Sequence, residues 1–288
     1  MLRRKKNSKD KRIVSEILLV IIISIIVLTG VVIYAVYRLR SGYKDYETAS
    51  EVYESAQKQY VLINRPGEAT ESENVMIPLQ YTEQDDYLSQ DDNEGFRWYD
   101  IVDINFSDLG NVNSEVCGWI YFENEDISYP LMYSGDNTKY LDHDYTGAAL
   151  RSGAIFVDGT NNNDFSDAHT LIYGHNMIDS SMFGKLNYYK TDEDYYEGHK
   201  YFQIITPTKK LRCEIVSYKD VPADGYIYKT YKRYDSGFTS FALNYVFKNS
   251  YIQPNVSITN DDRIITLSTC SGSDNIRFVV SAVVVDEY

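Results

Sequence analysis

The longest apolar stretch of the chain lies close to its beginning. Residues 17–37 read ILLVIIISIIVLTGVVIYAVY and contain no charged side chain. A helix rises about 1.5 Å per residue, so such a segment covers the roughly 30 Å hydrocarbon layer of a bilayer. A cleaved signal peptide has a shorter apolar region, of about 7–15 residues, before a small-residue cleavage site. The pattern therefore predicts an uncleaved transmembrane anchor at residues 13–37.

Charge on the N-terminal side of this stretch predicts its orientation. Seven basic residues precede it: Arg3, Arg4, Lys5, Lys6, Lys9, Lys11 and Arg12. Basic residues collect on the cytoplasmic side of membrane spans. We therefore predict a cytoplasmic tail at residues 1–12, a single-pass location in the cell membrane and an extracellular remainder.

The part of the chain after the anchor changes character twice. Residues 43–62 have helix-forming composition with apolar positions at helical spacing, which predicts a helical stalk. Residues 64–95 are polar and acidic, as is typical of a linker. We therefore assign residues 38–95 to a stalk and linker, and residues 96–288 to the main domain.

That domain shows many short apolar, β-branched or aromatic runs separated by turn residues. Such punctuation predicts a mainly β fold, an antiparallel barrel or sandwich. One helical interruption is expected at residues 235–249. The predicted strands are residues 116–122, 153–157, 170–173, 201–205, 211–218, 264–268 and 276–285.

Composition excludes several classes of function. The net charge of the chain is −14, and from Arg38 onward it is −19, with 21 basic and 40 acidic residues. Such a surface would repel a phosphate backbone, so nucleic acid is not an expected partner. The histidines and cysteines form no HxxxH or CxxC pair, and there is no Gly-rich phosphate loop. We therefore predict neither a metal nor a cofactor.

Three cysteines is an odd count for a domain outside the cell, so at least one thiol has no intramolecular partner. Cys270 lies at the end of a strand-like run, and Arg277 lies near the start of the next one, after the six residues SGSDNI. A hairpin would bring the two close together, and a nearby cation favours a thiolate. The alternative is a buried structural cysteine and a surface arginine.

A cysteine nucleophile commonly works with a histidine. His143 and His199 lie in charged segments, where a solvated side chain is expected, and His169 opens an apolar run. His175 follows that run in YGHNM, at the strand-end loop where working residues are often presented. Spacing favours His175 modestly.

Several motifs together resemble the sortases. TLSTC at 266–270, the downstream Arg277 and YGHNM at 173–177 resemble the signature segments of that family. The resemblance extends from about residue 101 to residue 285 and favours class B, as does the helical interruption. The class B-like segments are CGWIYFENEDISYPLM (117–132), DNTKYL (136–141), GAIFVDGTNN (153–162) and MFGKL (182–186).

This resemblance implies an eight-stranded sortase β-barrel with a few helices and a catalytic set of His175, Cys270 and Arg277. The family reaction is transpeptidation. Cys270 would attack a C-terminal sorting motif of a secreted protein, and an amine of cell-wall precursor or peptidoglycan would resolve the thioacyl enzyme. The expected partners are therefore those proteins, that amine and the cytoplasmic membrane.

Four further residues match or flank positions of the substrate groove: Asn137, Leu141, Ser268 and Thr269. Ordinary packing or turn bonding explains them equally well. The SGSDNI segment is shorter than in some class B members, so the sorting motif is not carried over. Asp274 within it could assist His175 or Arg277, although an Asp in a turn usually bonds its own backbone.

Three other functions compete with this interpretation. A pilin polymerase of the same family would use a lysine side chain as the amine. A papain-like peptidase is disfavoured because its cysteine precedes its histidine, whereas Cys270 follows His175. A non-catalytic surface adhesin would leave the histidine, cysteine and arginine set without a purpose.

Overall fold

The structure is a computed structural model. It describes residues 2–64, 97–234, 236–252, 258–259, 262–273 and 275–288, without the side chains of residues 2–12, 41, 236 and 270–273. The predicted linker at 64–95 lies almost entirely outside the described residues, and so do Asp274 and the side chain of Cys270. The chain divides into two units, Met1–Thr48 and Ala49–Tyr288.

The first unit is helical. Helix α1 begins at Leu2 and ends at Tyr60. It includes an 18-residue window of mean hydropathy 3.1, which is long and apolar enough to cross a membrane by length and composition. Its large apolar side chains are mostly exposed, for example Ile33 at 69%. The helix is therefore compatible with a single-pass anchor.

The second unit is a closed barrel of eight strands, in the order β10-β8-β7-β3-β4-β5-β6-β9. A separate two-stranded ribbon pairs β1 with β2. The pairs β4–β5 and β6–β9 are parallel, and the other described barrel pairs are antiparallel. The strands are β1 Val61–Ile63, β2 Val102–Ile104, β3 Val116–Phe122, β4 Ser128–Met132, β5 Ile155–Val157, β6 His169–Tyr173, β7 Tyr201–Ile205, β8 Lys210–Pro222, β9 Ile264–Ser273 and β10 Ile276–Glu287.

Short helices occupy the connections. They are α2 Phe106–Val112, α3 Tyr188–Thr191, α4 Tyr195–Gly198 and α5 Ser236–Phe241, with 3₁₀ turns at Trp98–Asp100, Lys139–Leu141, Gly184–Asn187 and Tyr226–Tyr228. A π-helical turn, Ala242–Phe247, continues α5. The predicted helical interruption at 235–249 is therefore confirmed for the residues that the structure describes.

Large aromatic side chains fill the main core. Trp119, Phe122 and Phe202 are almost completely buried there. Three residues from the last turns of α1, Tyr53, Ala56 and Tyr60, belong to the same core. Within the second unit, the end of α1 is therefore a packed part of the domain.

A second, smaller core lies on the outside of the barrel. Phe238 and Phe241 of α5 pack with Val246 of the π-helical turn onto Ile264 of β9 and Val283 of β10. Alternate residues of β9 and β10 thus face the two cores, as strand geometry requires. The α5 segment therefore covers the outer face of β9 near its first residue, Ile264.

Two predicted elements differ from the structure. The predicted helix at 43–62 ends at Tyr60, because Val61–Ile63 pair with Val102–Ile104 as strand β1. Strand β4, Ser128–Met132, has no counterpart among the predicted strands, since Pro130 lowers the strand signal. Pro130 nevertheless pairs with Trp119 of β3, and Leu131 pairs in parallel with Ile155 of β5.

Candidate active site

Strand β9 carries Cys270 and lies between β6 and β10. The Cα of Cys270 pairs with the Cα of Arg277 on the antiparallel neighbour β10. Hydrogen-bonded strands lie about 4.8 Å apart, so the two residues are direct neighbours across the hairpin. The prediction that the strand ends at Cys270 is wrong. Strand β9 continues to Ser273, and an irregularity at Ile276/Arg277 absorbs the extra length.

His175 approaches β9 from the opposite side. Strand β6 runs parallel to β9, and Tyr173 pairs with Ser268. The Gly174 amide then donates to the Ser268 carbonyl oxygen at 3.1 Å. His175 and Cys270 each follow the Tyr173–Ser268 pair by two residues. The register therefore leads the chain to His175 at the same end of β9 where Cys270 pairs with Arg277.

Gly174 allows close packing immediately before His175. A Cβ at residue 174 would lie 2.5 Å from side-chain carbons of Ile155 and Phe183, closer than real contacts allow. The backbone of His175 is fixed next, because its carbonyl accepts a hydrogen bond from the Phe183 amide at 3.0 Å. The tight packing around Gly174 thus determines where His175 leaves the sheet.

The environment of His175 favours a neutral imidazole. Burial lowers the pKa of His175, and a backbone interaction with the Leu141 carbonyl opposes that shift without cancelling it. A neutral imidazole can accept a proton from a thiol and return it later, which is the requirement for a general base and acid.

The other two cysteines are poor nucleophiles. Cys117 and Cys213 are free and buried in the main core. Burial raises the pKa of the Cys117 thiol to about 12 and raises that of Cys213 further. Because the thiolate is the reactive form, neither side chain competes with Cys270.

Known proteins resemble this chain in sequence and in structure. No family model matches the chain. It is 37% identical to sortase B of Listeria monocytogenes over 163 aligned residues, and this alignment covers 57% of this chain and 65% of that protein. It is 32% identical to sortase B of Staphylococcus aureus over 166 aligned residues, and this alignment covers 57% of this chain and 67% of that protein. The chain belongs to the class B sortases.

A solved structure agrees with this assignment. The Staphylococcus aureus sortase B–substrate complex aligns with a TM-score of 0.58 at 28% identity, over 63% of this chain and 84% of that chain. The curated matches extend over about two thirds of the relatives' own length, 65% and 67%. The predicted sortase barrel is confirmed, and the prediction of a cysteine transpeptidase is confirmed at the level of the family.

Within this class B sortase, Arg277 lies at the beginning of β10. Its Nη1 donates to the carbonyl of Ile276 at 3.0 Å, and the side chain is partly buried. It shares one strand face with Val279 and Ser281, both of which are almost fully buried. A guanidinium at the end of such an apolar strand face remains a candidate for contact with a peptide or an oxyanion.

The candidate groove residues Asn137 and Leu141 have different environments. The Asn137 amide donates to Asp158 Oδ2 at 2.9 Å, and its oxygen accepts from the Gly159 amide at 2.7 Å. Its side chain thus fastens two loops of the sortase together. Leu141 ends a 3₁₀ turn with its side chain 45% exposed, which leaves that side chain accessible to a ligand.

Ser268 and Thr269 lie directly before Cys270 on β9, and both are buried, at 3% and 2% exposure. The Ser268 hydroxyl is 3.0 Å from the Tyr228 hydroxyl. The Thr269 hydroxyl has no hydrogen-bond partner among the residues that the structure describes. The two residues therefore shape the site mainly from beneath its surface.

Sequence reasoning missed an aromatic and acidic cluster beside these residues. Tyr173 donates from its hydroxyl to Asp158 Oδ2 at 2.9 Å, and its ring stacks with that of Tyr228. Burial alone would raise the pKa of Asp158, but hydrogen bonds from Thr160, Tyr173 and Asn137 outweigh it and lower that pKa. The available signal was the tyrosine two residues before His175 in YGHNM.

The remaining histidines are structural or peripheral. His143 bonds to Asp142 at 2.6 Å with its side chain 38% exposed, and His199 stacks on Tyr195. His169 is completely buried, with Nδ1 2.8 Å from the Lys229 carbonyl and Nε2 2.9 Å from the Thr266 hydroxyl. Nδ1–H therefore donates to the carbonyl, and the hydroxyl donates to Nε2.

His169 makes the stability of the fold depend on pH. Burial lowers its pKa to about 4, although Asp158 and Asp167 act in the opposite direction. The unfolded chain binds a proton near pH 6.5 while the folded chain does not, so unfolding becomes easier as the pH falls. Between pH 7.5 and 5 we expect this group to lower the free energy of unfolding by about 2 kcal/mol.

Urea denaturation of the full-length chain in detergent, at both pH values, measures this loss. His169→Gln keeps a donor and an acceptor but does not titrate, so the variant should lose less stability over the same interval. Equal losses in the variant and the parent would show that His169 does not cause the effect.

Proposed function

We propose that this class B sortase is a membrane-anchored extracellular transpeptidase that joins secreted proteins to the cell wall. It cleaves a C-terminal sorting motif and transfers the protein to an amine of cell-wall precursor or peptidoglycan. The backbone register of β6, β9 and β10 supports this proposal most, because it pairs Cys270 with Arg277 and leads the chain before His175 to the same end of β9.

The first half-reaction forms a thioacyl enzyme. The Cys270 thiol gives its proton to the neutral imidazole of His175, and the thiolate attacks the peptide carbonyl. The carbonyl oxygen becomes an oxyanion beside the Arg277 guanidinium, which stabilises the charge. The carbon–nitrogen bond then breaks, and the His175 imidazolium protonates the departing amine.

The second half-reaction reverses the proton transfer. A neutral amine attacks the thioacyl carbonyl, and His175 removes the proton that the new amide cannot keep. The carbon–sulfur bond breaks, and the departing thiolate takes a proton from the His175 imidazolium. The cysteine, the imidazole and the guanidinium then return to their starting states. The lowered pKa of His175 fits this sequence, because the imidazole is neutral at the start of each half-reaction and carries a proton only between one transfer and the next.

The nature of the partners follows from the family. One relative has been solved as a sortase B–substrate complex. We infer a peptide substrate here too, presented as the sorting motif of a secreted protein. Leu141 offers an exposed side chain for it. We assign Ser268 and Thr269 the role of supporting the groove from beneath. We assign Asn137 a contact with the peptide through the loop that carries it.

The anchor should hold the enzyme outside the cell. The apolar length of α1 and the seven basic residues before it support a cytoplasmic N-terminus. Protease treatment of intact cells without their wall tests this orientation. An N-terminal epitope should survive and a C-terminal epitope should be lost, whereas the reverse pattern would contradict the proposed orientation.

Product analysis tests the reaction itself. The full-length chain in detergent is incubated with a library of sorting-motif peptides and one of three amines: an oligoglycine, a diaminopimelate-containing peptide or a lysine-containing pilin-like peptide. Mass spectrometry should show amine-dependent ligation to a wall-type amine. Ligation to the lysine peptide alone would indicate pilin assembly, and hydrolysis unaffected by any amine would contradict transpeptidation.

A further inference from the structure

A short hairpin begins at His175. We call residues 175–183 the His175 hairpin, and two contacts close its base. The Phe183 amide donates to the His175 carbonyl at 3.0 Å, and Asn176 pairs with Met182 in an antiparallel bridge. The residue before His175 is bonded to β9. The backbone of His175 is therefore fixed by the barrel on one side and by this hairpin on the other.

The base of the His175 hairpin has an unusual backbone. Met182 has a φ of +55°, in the left-handed region that side chains other than glycine rarely adopt. Its side chain and that of Phe183 are almost completely buried. A strained conformation persists only where the surrounding contacts hold it. A contact that holds Met182 therefore also determines where the next amide, that of Phe183, points.

Tyr129 of β4 supplies such a contact. It pairs with Ile120 of β3 and is 6% exposed. Its hydroxyl accepts a buried hydrogen bond from the Met182 amide at 2.9 Å. Two consecutive amides thus have different acceptors, since the Met182 amide bonds to Tyr129 and the Phe183 amide bonds to His175. Hydrogen bonds and one peptide unit therefore connect the hydroxyl to the backbone of His175.

We propose that Tyr129 is a positioning residue for catalysis. Its hydroxyl fixes Met182 and, through the Phe183 amide, the backbone from which the His175 side chain extends. This inference rests on the proposed role of His175 in transpeptidation. It gives β4 a part in the reaction, although β5 separates that strand from β6.

Tyr129→Phe in the full-length chain in detergent tests this role, because it removes one oxygen atom and keeps the ring. A buried amide without an acceptor is costly, so the backbone at Met182 should leave its left-handed conformation. The Phe183 amide then moves away from the His175 carbonyl. Because His175 transfers protons, we expect kcat to fall roughly tenfold to hundredfold while KM changes less than about twofold.

Two spectroscopic measurements report on this contact without turnover. In a chain labelled with ¹⁵N-methionine, the Met182 amide should exchange slowly with solvent in the parent and roughly tenfold faster or more in Tyr129→Phe. In a chain labelled with ¹⁵N-histidine, the ring signals of His175 should move in the variant. Fast exchange of the Met182 amide in the parent would overturn the proposal, even if the variant does not fold.

Tyr189→Phe is the matched control. Tyr189 is 2% exposed and donates to the backbone carbonyl of His199 at 2.5 Å, so the substitution removes a buried hydroxyl bond elsewhere in the same unit. It should leave the Met182 exchange rate, the His175 ring signals and kcat unchanged. Equal effects of the two substitutions on the ring signals and on kcat would indicate a general loss of stability and would overturn the role of Tyr129.

The two proposals fail separately. If Tyr129→Phe leaves the His175 ring signals unchanged, the positioning role is overturned whatever happens to turnover. If His175→Ala retains turnover, the proposed function fails, and the ring signals of Tyr129→Phe still report whether the hydroxyl positions His175.

Discussion

Replacement of Cys270 by alanine should abolish cleavage of a quenched sorting-motif peptide and formation of the thioacyl enzyme. The reaction as proposed passes through a covalent bond to this sulfur, so we expect turnover to fall by at least roughly 10⁴-fold. No other described thiol can substitute for it, because Cys117 and Cys213 are buried with raised pKa values. Fluorescence assays and intact-protein mass spectrometry measure the two losses.

Cys117→Ala serves as the control for this experiment. Cys117 is a buried core thiol on β3, so its removal can lower stability but should leave turnover per folded molecule close to that of the parent. A methanethiosulfonate reagent should inactivate the Cys117→Ala enzyme through residue 270. Substantial turnover in Cys270→Ala would end the proposed mechanism.

Replacement of Arg277 by lysine should have the second largest effect. Lysine keeps the positive charge but lacks the planar fork that can hold an oxyanion and a peptide group together. Loss of one preorganised oxyanion donor typically reduces kcat by about 10²–10³-fold, and we expect a reduction of that order. Steady-state kinetics should show it mainly in kcat.

Arg212→Lys separates this effect from a general cost of losing a guanidinium. Arg212 donates from Nε and Nη2 to the Glu123 carboxylate at 2.9 and 2.8 Å, and it lies on β8 of the same barrel. That variant should lose stability and keep its turnover. Turnover close to the parent in Arg277→Lys would remove the guanidinium from the mechanism.

Much of the barrel follows from local patterns in the sequence. The runs at 116–122 and 201–205 agree with β3 and β7 residue for residue, because both are apolar, aromatic or β-branched and end at turn residues. Strand β4 was missed because the pairing of Pro130 with Trp119 depends on the neighbouring strand. Tertiary pairing here overrides local preference.

The candidate site was predictable only where it is local. The proximity of Cys270 and Arg277 follows from a hairpin that can be read in the sequence. The approach of His175 depends on the parallel pairing of β6 with β9, which joins distant segments and leaves no local signal. The family resemblance supplied that expectation.

Backbone groups were beyond the reach of sequence reasoning altogether. The Leu141 carbonyl raises the pKa of His175 through a backbone atom that every residue has, so the residue type gives no signal. Asn137 was selected because it matches a groove position of the family, and its amide is bonded to Asp158 and Gly159 within the protein. Such details depend on the exact course of two loops.

The parallel pair β6–β9 also affects when the site forms during folding. Contacts between segments this far apart in the chain form late, since a large loop must close before they are made. Strands β9 and β10 are also the last in chain order. A growing chain therefore contains His175 for some time before it contains Cys270, and the site can form only after β9 has been synthesised and has paired with β6.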